Sequence, residues 1–576
     1  MKIKSVCIHN FRSIKDGKFD LYDYSVLVGS NNSGKSNVLS ALRIFYEDDI
    51  KYDENIDFPK FETDDNESWI EIEFVLSEKE VKSIKKEYVY DNNRLKVRKY
   101  LKSEDRNKVR ANQSNIYAYE NGKLSENLFY GARNISQAKL GTVIYIPALA
   151  TTNETLKTTG PSPFRKLLSL IIKDLSKKSK SFQRLYEEFE KFNKNLKNEK
   201  TEDGLSLKNI EDKINDSLRE WNVKFNVNIE PIGPDEVIKS LVKTNFMDET
   251  LKKEMNVTQY GLGLQRHLVY TLIKIASQIE KETEEESDNK KDFLPDFTLI
   301  LFEEPELFLH PTQQEILNVG LRNLASEENY QVLVTTHSPI FVSRNIEEVS
   351  SIIKLKREEA ITRIFQITKE KRDELIKSNN EFFVMLKSKL DDPQVDDETK
   401  KNIKKMIGET EEERRLGEES IRYLSWLDSE RCCAFFADIV LICEGATEKV
   451  FIDYLIRNRV QKLNEKKIYV LDAMGKYNIH RYMNLLKELG IYHSVLMDKD
   501  ENRNIHKFVN EFIVNNKNEY TKKVDFFESN IEDFLGVPQV GQDWKKPINI
   551  LWHYFNEKIE EEKLKDLNEK IEQLIE

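Results

Sequence analysis

Four short apolar runs frame the first part of the chain: "YSVLVG" (24–29), "GTVIYIPA" (141–148), "FTLILFEE" (297–304) and "YQVLVTTHS" (330–338). Each has strand length, is rich in β-branched residues and alternates with helix-patterned sequence. This predicts an α/β domain with a largely parallel sheet. Between the second and third runs lies "SPFRKLLSLIIKDLSKKSKSFQRLYEEFEKFNKNLKNEK", a charged helical stretch that reads as an insertion, either a solvated hairpin or a dimerisation arm. The segment "EKETEEESDNKKD" (280–292) has almost nothing to bury and predicts a loop. After a polar stretch from about Thr368 to Glu430, strands return at "DIVLICEG", "KIYVLDA" and "YHSVLMDKD". A second, smaller α/β unit therefore begins near Arg431. The expected boundaries are 1–160 and 251–365 for two parts of one domain, 161–250 for the helical insertion, 366–430 for a helical linker and 431–576 for the second domain. The C-terminal Leu564, Leu567, Ile571 and Leu574 share one helical face, suited to a core contact or a partner.

Composition narrows the function. At 576 residues the chain is too long for a single core, and its net charge of -11 excludes coating a polyanion by overall charge. Any nucleic acid must meet bound cations or a local basic patch, for which "RLKVRKYLK" (94–102) is a candidate alongside a solvated strand face. No run approaches the roughly 18 apolar residues of a membrane span, so a cytoplasmic protein with no membrane partner is expected. The four cysteines lack zinc-ligand spacing.

The first candidate site is "GSNNSGKS", a phosphate loop between an apolar strand and a helix on which Val38, Leu42 and Phe45 share a face. Gly29 and Gly34 permit the tight path, and the backbone through Asn31, Asn32, Ser33 and on to Asn37 can face phosphates. Lys35 reaches the terminal phosphates and Ser36 can hold Mg²⁺. The strand "TLILFEE" delivers Glu303 to the metal shell and Glu304 toward an attacking water, and His337 ends another strand in position to meet the γ-phosphate. The second site is acidic. Glu444 and Glu448 flank a strand-to-helix turn at Gly445, and Asp498 and Asp500, two apart, share a side if the backbone is extended. Glu528, Glu532 and Asp533 follow, then Lys545 and Lys546. Converging carboxylates repel unless cations bind, so one or two divalent ions and phosphodiester cleavage are expected.

Taken in order, phosphate loop, acidic strand end and strand-end histidine resemble the ABC-type ATPases of the SMC and RecF kind. "HNFRSI" adds to the likeness, because the resemblance puts its arginine, Arg12, near the nucleotide phosphates. It also implies that a glycine-rich segment from a second copy closes the site. "TQYGLGLQRH" is the candidate, through Gly261, Gly263 and Gln265, although no serine flanks the glycines and Glu303 stands where aspartate is common. "EGATE" followed by "DKD" resembles a Toprim domain, and the ATPase–Toprim order resembles the OLD (overcoming lysogenization defect) nucleases. That resemblance implies ATP with one Mg²⁺ at the first site and two Mg²⁺ or Mn²⁺ ions at the second. The ligands there would be Glu444, Glu448, Asp498, Asp500 and Glu532, with Asp533 the rival of Glu532, and the catalytic lysine Lys546, with Lys545 its rival. It implies a homodimer or larger oligomer that cuts or nicks DNA. The family includes antiphage effectors, Gabija nucleases working with a helicase-like protein and OLD nucleases encoded beside a retron reverse transcriptase and its msDNA. A non-cutting, ATP-switched DNA clamp of the RecF kind is the alternative.

Overall fold

The computed structural model describes residues 1–132, 140–148, 179–198, 206–219, 223–226, 246–255, scattered positions in 259–275, 297–342, 346–408, 410–413, 430–458, 463, 466–500 and 504–576. Two compact units result, one of residues 1–143 with 293–576 and one of residues 144–292.

In the first unit, an antiparallel sheet runs in the order Ile14–Asp20, Lys2–Phe11, Ser68–Val75, Arg94–Lys102, Ile116–Glu120, Lys123–Leu128, with Val89–Tyr90 beside Arg94–Lys102. Period-two patterning builds it: Ile70, Ile72 and Phe74 are buried, while Glu71 and Glu73 lie on the opposite face. The basic residues of 94–102 meet those acids across the ladder. Lys96 and Arg98 each pair with Glu71 at 2.7 Å, and Arg94 pairs with Glu73 at 3.3 Å. Lys99 and Lys102 pair with Glu47 and Glu54. The basic patch expected to meet DNA is thus an internally neutralised strand.

A second sheet has the order Ile361–Gln366, Ile352–Glu358, Tyr24–Val28, Tyr330–Thr335, Thr298–Glu303, Thr142–Ile146. Ile352–Glu358, Tyr24–Val28, Tyr330–Thr335 and Thr298–Glu303 are parallel. Tyr24–Val28 and Tyr330–Thr335 are buried throughout, as strands covered on both faces must be. The phosphate loop, Glu303 and His337 all follow the carboxyl ends of these parallel strands.

The third sheet is wholly parallel, in the order Ile468–Asp472, Ile439–Cys443, Tyr492–Asp498, Thr521–Phe527. The chain reverses direction of travel across the sheet between Ile439–Cys443 and Tyr492–Asp498. Such a switch opens a crevice at the carboxyl ends, where Glu444 and Asp498 stand. Helix Glu561–Ile575 places Leu564, Leu567, Ile571 and Leu574 in the core of this sheet, so its apolar face is a core contact. In the region expected as a linker, helices Lys369–Leu390 and Asp397–Ile407 pack against helices Ile479–Glu488 and Asn504–Asn515, burying Phe382, Leu386 and Ile403. The second unit contains helices Lys180–Asn198 and Leu207–Ser217, packed together, and the hairpin Phe246–Asp248 with Lys253–Met255.

Candidate functional site

The phosphate loop leaves Tyr24–Val28 and enters helix Lys35–Phe45, whose N-cap, Gly34, has φ 103°. A side chain there would meet Thr362 Oγ1 at 2.5 Å, so only glycine fits both the backbone and the space. Lys35 Nζ donates to the carbonyls of Gly29 and Ser30 at 3.0 Å each. Burial lowers its pKa to about 8, against the pull of Glu304. Ser36 Oγ donates to Glu303 Oε1 at 2.7 Å, so the two expected Mg²⁺ ligands are already in contact. Glu304 turns away in a left-handed conformation, φ 44°, and its Oε1 lies 3.6 Å from His337 Nε2. Burial, with repulsion from Lys35 and Lys467, lowers the His337 pKa to about 4, so the imidazole is neutral at pH 7.

Arg12, also left-handed, is held by Asp57 at 2.8 Å and reaches Ser40 and Asn37 on the loop's helix. Asn37 donates to Ser13, Asn32 accepts from Arg357, Ser33 is buried with its carbonyl bonded by Thr362, and Asn31 is exposed at the loop tip. Gly261 and Gly263 lie in the second unit, and Gln265 falls outside the described residues. One residue absent from the sequence reading is Glu306. It accepts from the His337 N–H at 2.6 Å and from Thr336 Oγ1 at 2.8 Å, fixing the turn that presents the imidazole. Its only sequence signal is a third acid in "EEPE".

At the switch point, Glu444, Asp498 and Asp500 each offer an oxygen within 4.8 Å of the others. Asp500 does not share a side with Asp498 by extended alternation. Its φ of 49° makes a left-handed turn that folds the carboxylate back. Glu448 sits in the first turn of helix Ala446–Asn458, 6% exposed, with the Gly445 N–H donating to it at 3.1 Å. Burial raises the Asp498 pKa to about 9, with further repulsion from Glu448, Glu444 and Asp500. Burial raises Glu448 to about 7, with Glu444 and Glu532 adding to it. Burial, and then Asp500, raise Glu444, opposed by Lys476. Four carboxylates thus crowd one another around Asp498, and a fifth, Glu532, adds to them through Glu448. Among them Asp498 Oδ1 and Glu532 Oε1 are buried without a hydrogen-bond partner. Orphaned acid oxygens facing shared negative charge fit a hard divalent cation.

Helix Ile531–Leu535 separates the two rivals for the fifth position. Glu532 points inward, 4% exposed, whereas Asp533 is bonded to Ser529, Asn530 and Gln539 at the surface. Lys546 opens helix Lys546–Phe555, which packs on the helix carrying Glu448, and Lys545 lies over the Trp544 ring. Sequence reasoning missed Lys476. It is 2% exposed, donates to the Asp498 carbonyl at 2.5 Å and lies 3.4 Å from Asp500 and 3.7 Å from Glu444. Gly475, φ 107°, makes the turn that throws it inward, and the Gly475 N–H is tied to the Glu444 carbonyl at 2.8 Å.

Comparison with known proteins bears on both sites. Residues 1–342 match the AAA ATPase domain family AAA_15. Residues 435–500 match the TOPRIM domain of overcoming-lysogenization-defect-like proteins. Over 525 residues the chain is 24% identical to the Old nuclease of Escherichia phage P2, spanning 88% of this chain and 78% of that protein. It is 22% identical over 529 residues to Endonuclease GajA of Bacillus cereus strain VD045, spanning 87% and 75%. Among solved structures, the SMC head bound to the C-winged helix domain of ScpA is similar at a TM-score of 0.36 and 14% identity, over 65% of this chain and 100% of that one. No helix among the described residues is long and apolar enough to cross a membrane. Matched by the AAA_15 model over more than half its length, the chain belongs to the AAA_15 ATPase family and carries a TOPRIM domain of the overcoming-lysogenization-defect-like kind after it.

Proposed function

We propose that the protein is a divalent-metal-dependent DNA endonuclease or nickase that serves as an antiphage effector, with the ATPase as its oligomeric platform. The observation carrying this reading is the switch-point cluster: Glu444, Glu448 and Asp500 crowd Asp498, Glu532 crowds Glu448, and two of the five carboxylates have buried, unpartnered oxygens. The names of the relatives, a nuclease and an endonuclease, support it.

Glu444, Asp498 and Asp500 would hold one ion, and Glu448 and Glu532, with Asp498 between, a second. Mg²⁺ or Mn²⁺ bound there supplies Lewis acidity that activates water and stabilises the leaving oxygen. The protein's own groups do the rest. Lys476 offsets part of the cluster's charge and fixes the Asp498–Asp500 turn. Glu448, with its pKa near 7, can take up or release a proton at neutral pH. Lys546 is the cation assigned to the scissile phosphate, by resemblance.

At the nucleotide site, Lys35 and Arg12 bind ATP phosphates, Ser36 and Glu303 take Mg²⁺, and Glu304 with neutral His337 orients water. Gly261, Gly263 and Gln265 of a second copy close the site, which makes the working form at least a homodimer. The defence partner is a retron reverse transcriptase with its msDNA or a helicase-like protein.

Supercoiled plasmid with Mg²⁺ or Mn²⁺ tests this. Wild type nicks or linearises it, Asp498→Ala does not, and retained cutting by Lys35→Ala marks chemistry independent of nucleotide. No cutting by wild type, alone or with its partner, overturns the reading in favour of an ATP-switched DNA clamp.

A further inference from the structure

The hairpin joining Lys2–Phe11 to Ile14–Asp20 turns on two residues, Arg12 and Ser13, because Phe11 pairs with Ile14. Both reach the helix that follows the phosphate loop. Ser13 Oγ accepts from Asn37 at 2.7 Å, and Arg12 Nη1 donates to Ser40 Oγ at 3.1 Å. An arginine side chain carries large rotamer entropy, so it holds one such position only when something else pins it. Asp57, 45 positions further along the chain, does so. It ends the short helix Glu54–Asp57 and is 2% exposed.

Asp57 grips Arg12 twice. Its carbonyl accepts the Arg12 N–H at 2.7 Å, and its Oδ1 accepts from Arg12 Nε at 2.8 Å. The other carboxylate oxygen, Oδ2, accepts the Asp53 N–H at 2.8 Å, which fixes the carboxylate in turn. Both oxygens are thus committed, and Arg12 is the cation paired with Asp57 among the described residues. The guanidinium is a rigid planar fork, so anchoring Nε to Asp57 and Nη1 to Ser40 sets the direction of Nη2. Among the described residues Nη2 has no partner. By charge alone, a carboxylate this close to the loop's helix opposes the binding of a polyanion. Aiming the arginine is what offsets that cost.

We propose that Asp57 is a positioning residue for nucleotide binding: it acts through Arg12, holding the guanidinium so that its free edge meets phosphate oxygen. The inference rests on the reading of the loop as a nucleotide site with Arg12 among its phosphate contacts.

The test is a double-mutant cycle, read by titrating the full chain with a fluorescent ATP analogue and Mg²⁺ at a temperature where circular dichroism shows each variant folded. Wild type is compared with Lys35→Ala, Arg12→Ala, Asp57→Asn and the double variant of Arg12→Ala with Asp57→Asn. Losing a charge-assisted contact to phosphate weakens binding by about tenfold in Arg12→Ala. Asparagine offers one acceptor oxygen where Asp57 uses two, so Asp57→Asn weakens binding by about fivefold, although removing a negative charge would by itself tighten it. In the Arg12→Ala background Asp57→Asn weakens binding no further. Arg12→Lys keeps the charge but has no fork to share between Asp57 and phosphate, so it binds as weakly as Asp57→Asn and replaces it in the test if Asp57→Asn does not fold. With binding lost in Lys35→Ala, wild-type or tighter binding by Asp57→Asn, wild-type binding by Arg12→Lys, or an equal loss from Asp57→Asn in both backgrounds overturns this inference alone. Equal binding by wild type and Lys35→Ala, or none by wild type, overturns the phosphate-loop reading and this inference with it.

Discussion

Replacing Asp498 by asparagine should make the metal-free protein more stable while abolishing its cutting. The Asp498 carboxyl has a pKa of about 9 in the fold against an ordinary 3.8, because it is buried among Glu448, Glu444 and Asp500. The folded state therefore binds more protons than the unfolded chain between those two values, and stability falls as pH rises through that window. By pH 7 the loss from this one group is about 4 kcal/mol, and by pH 5 it is about 2 kcal/mol, at 1.36 kcal/mol per pH unit above 3.8. Asparagine keeps the shape and removes the charge, and the Lys476 bond to the main-chain carbonyl of residue 498 survives. Urea unfolding in EDTA should show Asp498→Asn more stable than wild type by roughly 2 to 4 kcal/mol at pH 7 and by less at pH 5. Saturating Mn²⁺ should reverse the order by stabilising only the wild type. A variant less stable than wild type in EDTA at pH 7, or a gain independent of pH, refutes the mutual repulsion on which the metal reading stands.

Lys476→Met leaves Glu444 and Asp500 without their buried counter-charge and should cost about 3 kcal/mol in metal-free unfolding; unchanged stability removes the lysine from its role. Gly34→Ala forces a side chain onto Thr362 at a left-handed position, and nucleotide titration should show binding lost, where wild-type affinity would contradict the loop geometry. Loading the cluster with metal at pH 7 should release about one and a half protons, one from Asp498 and half of one from Glu448, measured by calorimetry in buffers of different ionisation enthalpy. Zero release would contradict the raised values of both groups.

Both sites could be located from sequence because their residues follow buried strands. "YSVLVG", "TLILFEE", "LICEG" and "VLMD" are largely apolar runs whose carboxyl ends carry the candidate residues. What was hidden depends on long-range pairing or on single dihedral angles. The five basic residues of 94–102 look like a patch until Glu71 and Glu73 are known to lie across from three of them. Asp500 converges only through a left-handed turn that alternation cannot reveal. Glu532 and Asp533 are neighbours, and the entry angle of one short helix decides which is buried. Lys476 and Glu306 belong to turns without periodicity, so their roles appear only once the strands are brought side by side. The polar helix Lys369–Leu390 reads as a linker because only four of its described residues, Leu375, Phe382, Phe383 and Leu386, are buried apolar ones.

The most direct measurement is anomalous diffraction from crystals of the protein grown with Mn²⁺. The account predicts density peaks among Glu444, Asp498 and Asp500 and beside Glu448 and Glu532, lost in Asp498→Asn. Manganese found only at Ser36 and Glu303, with the switch-point carboxylates bare, would contradict it.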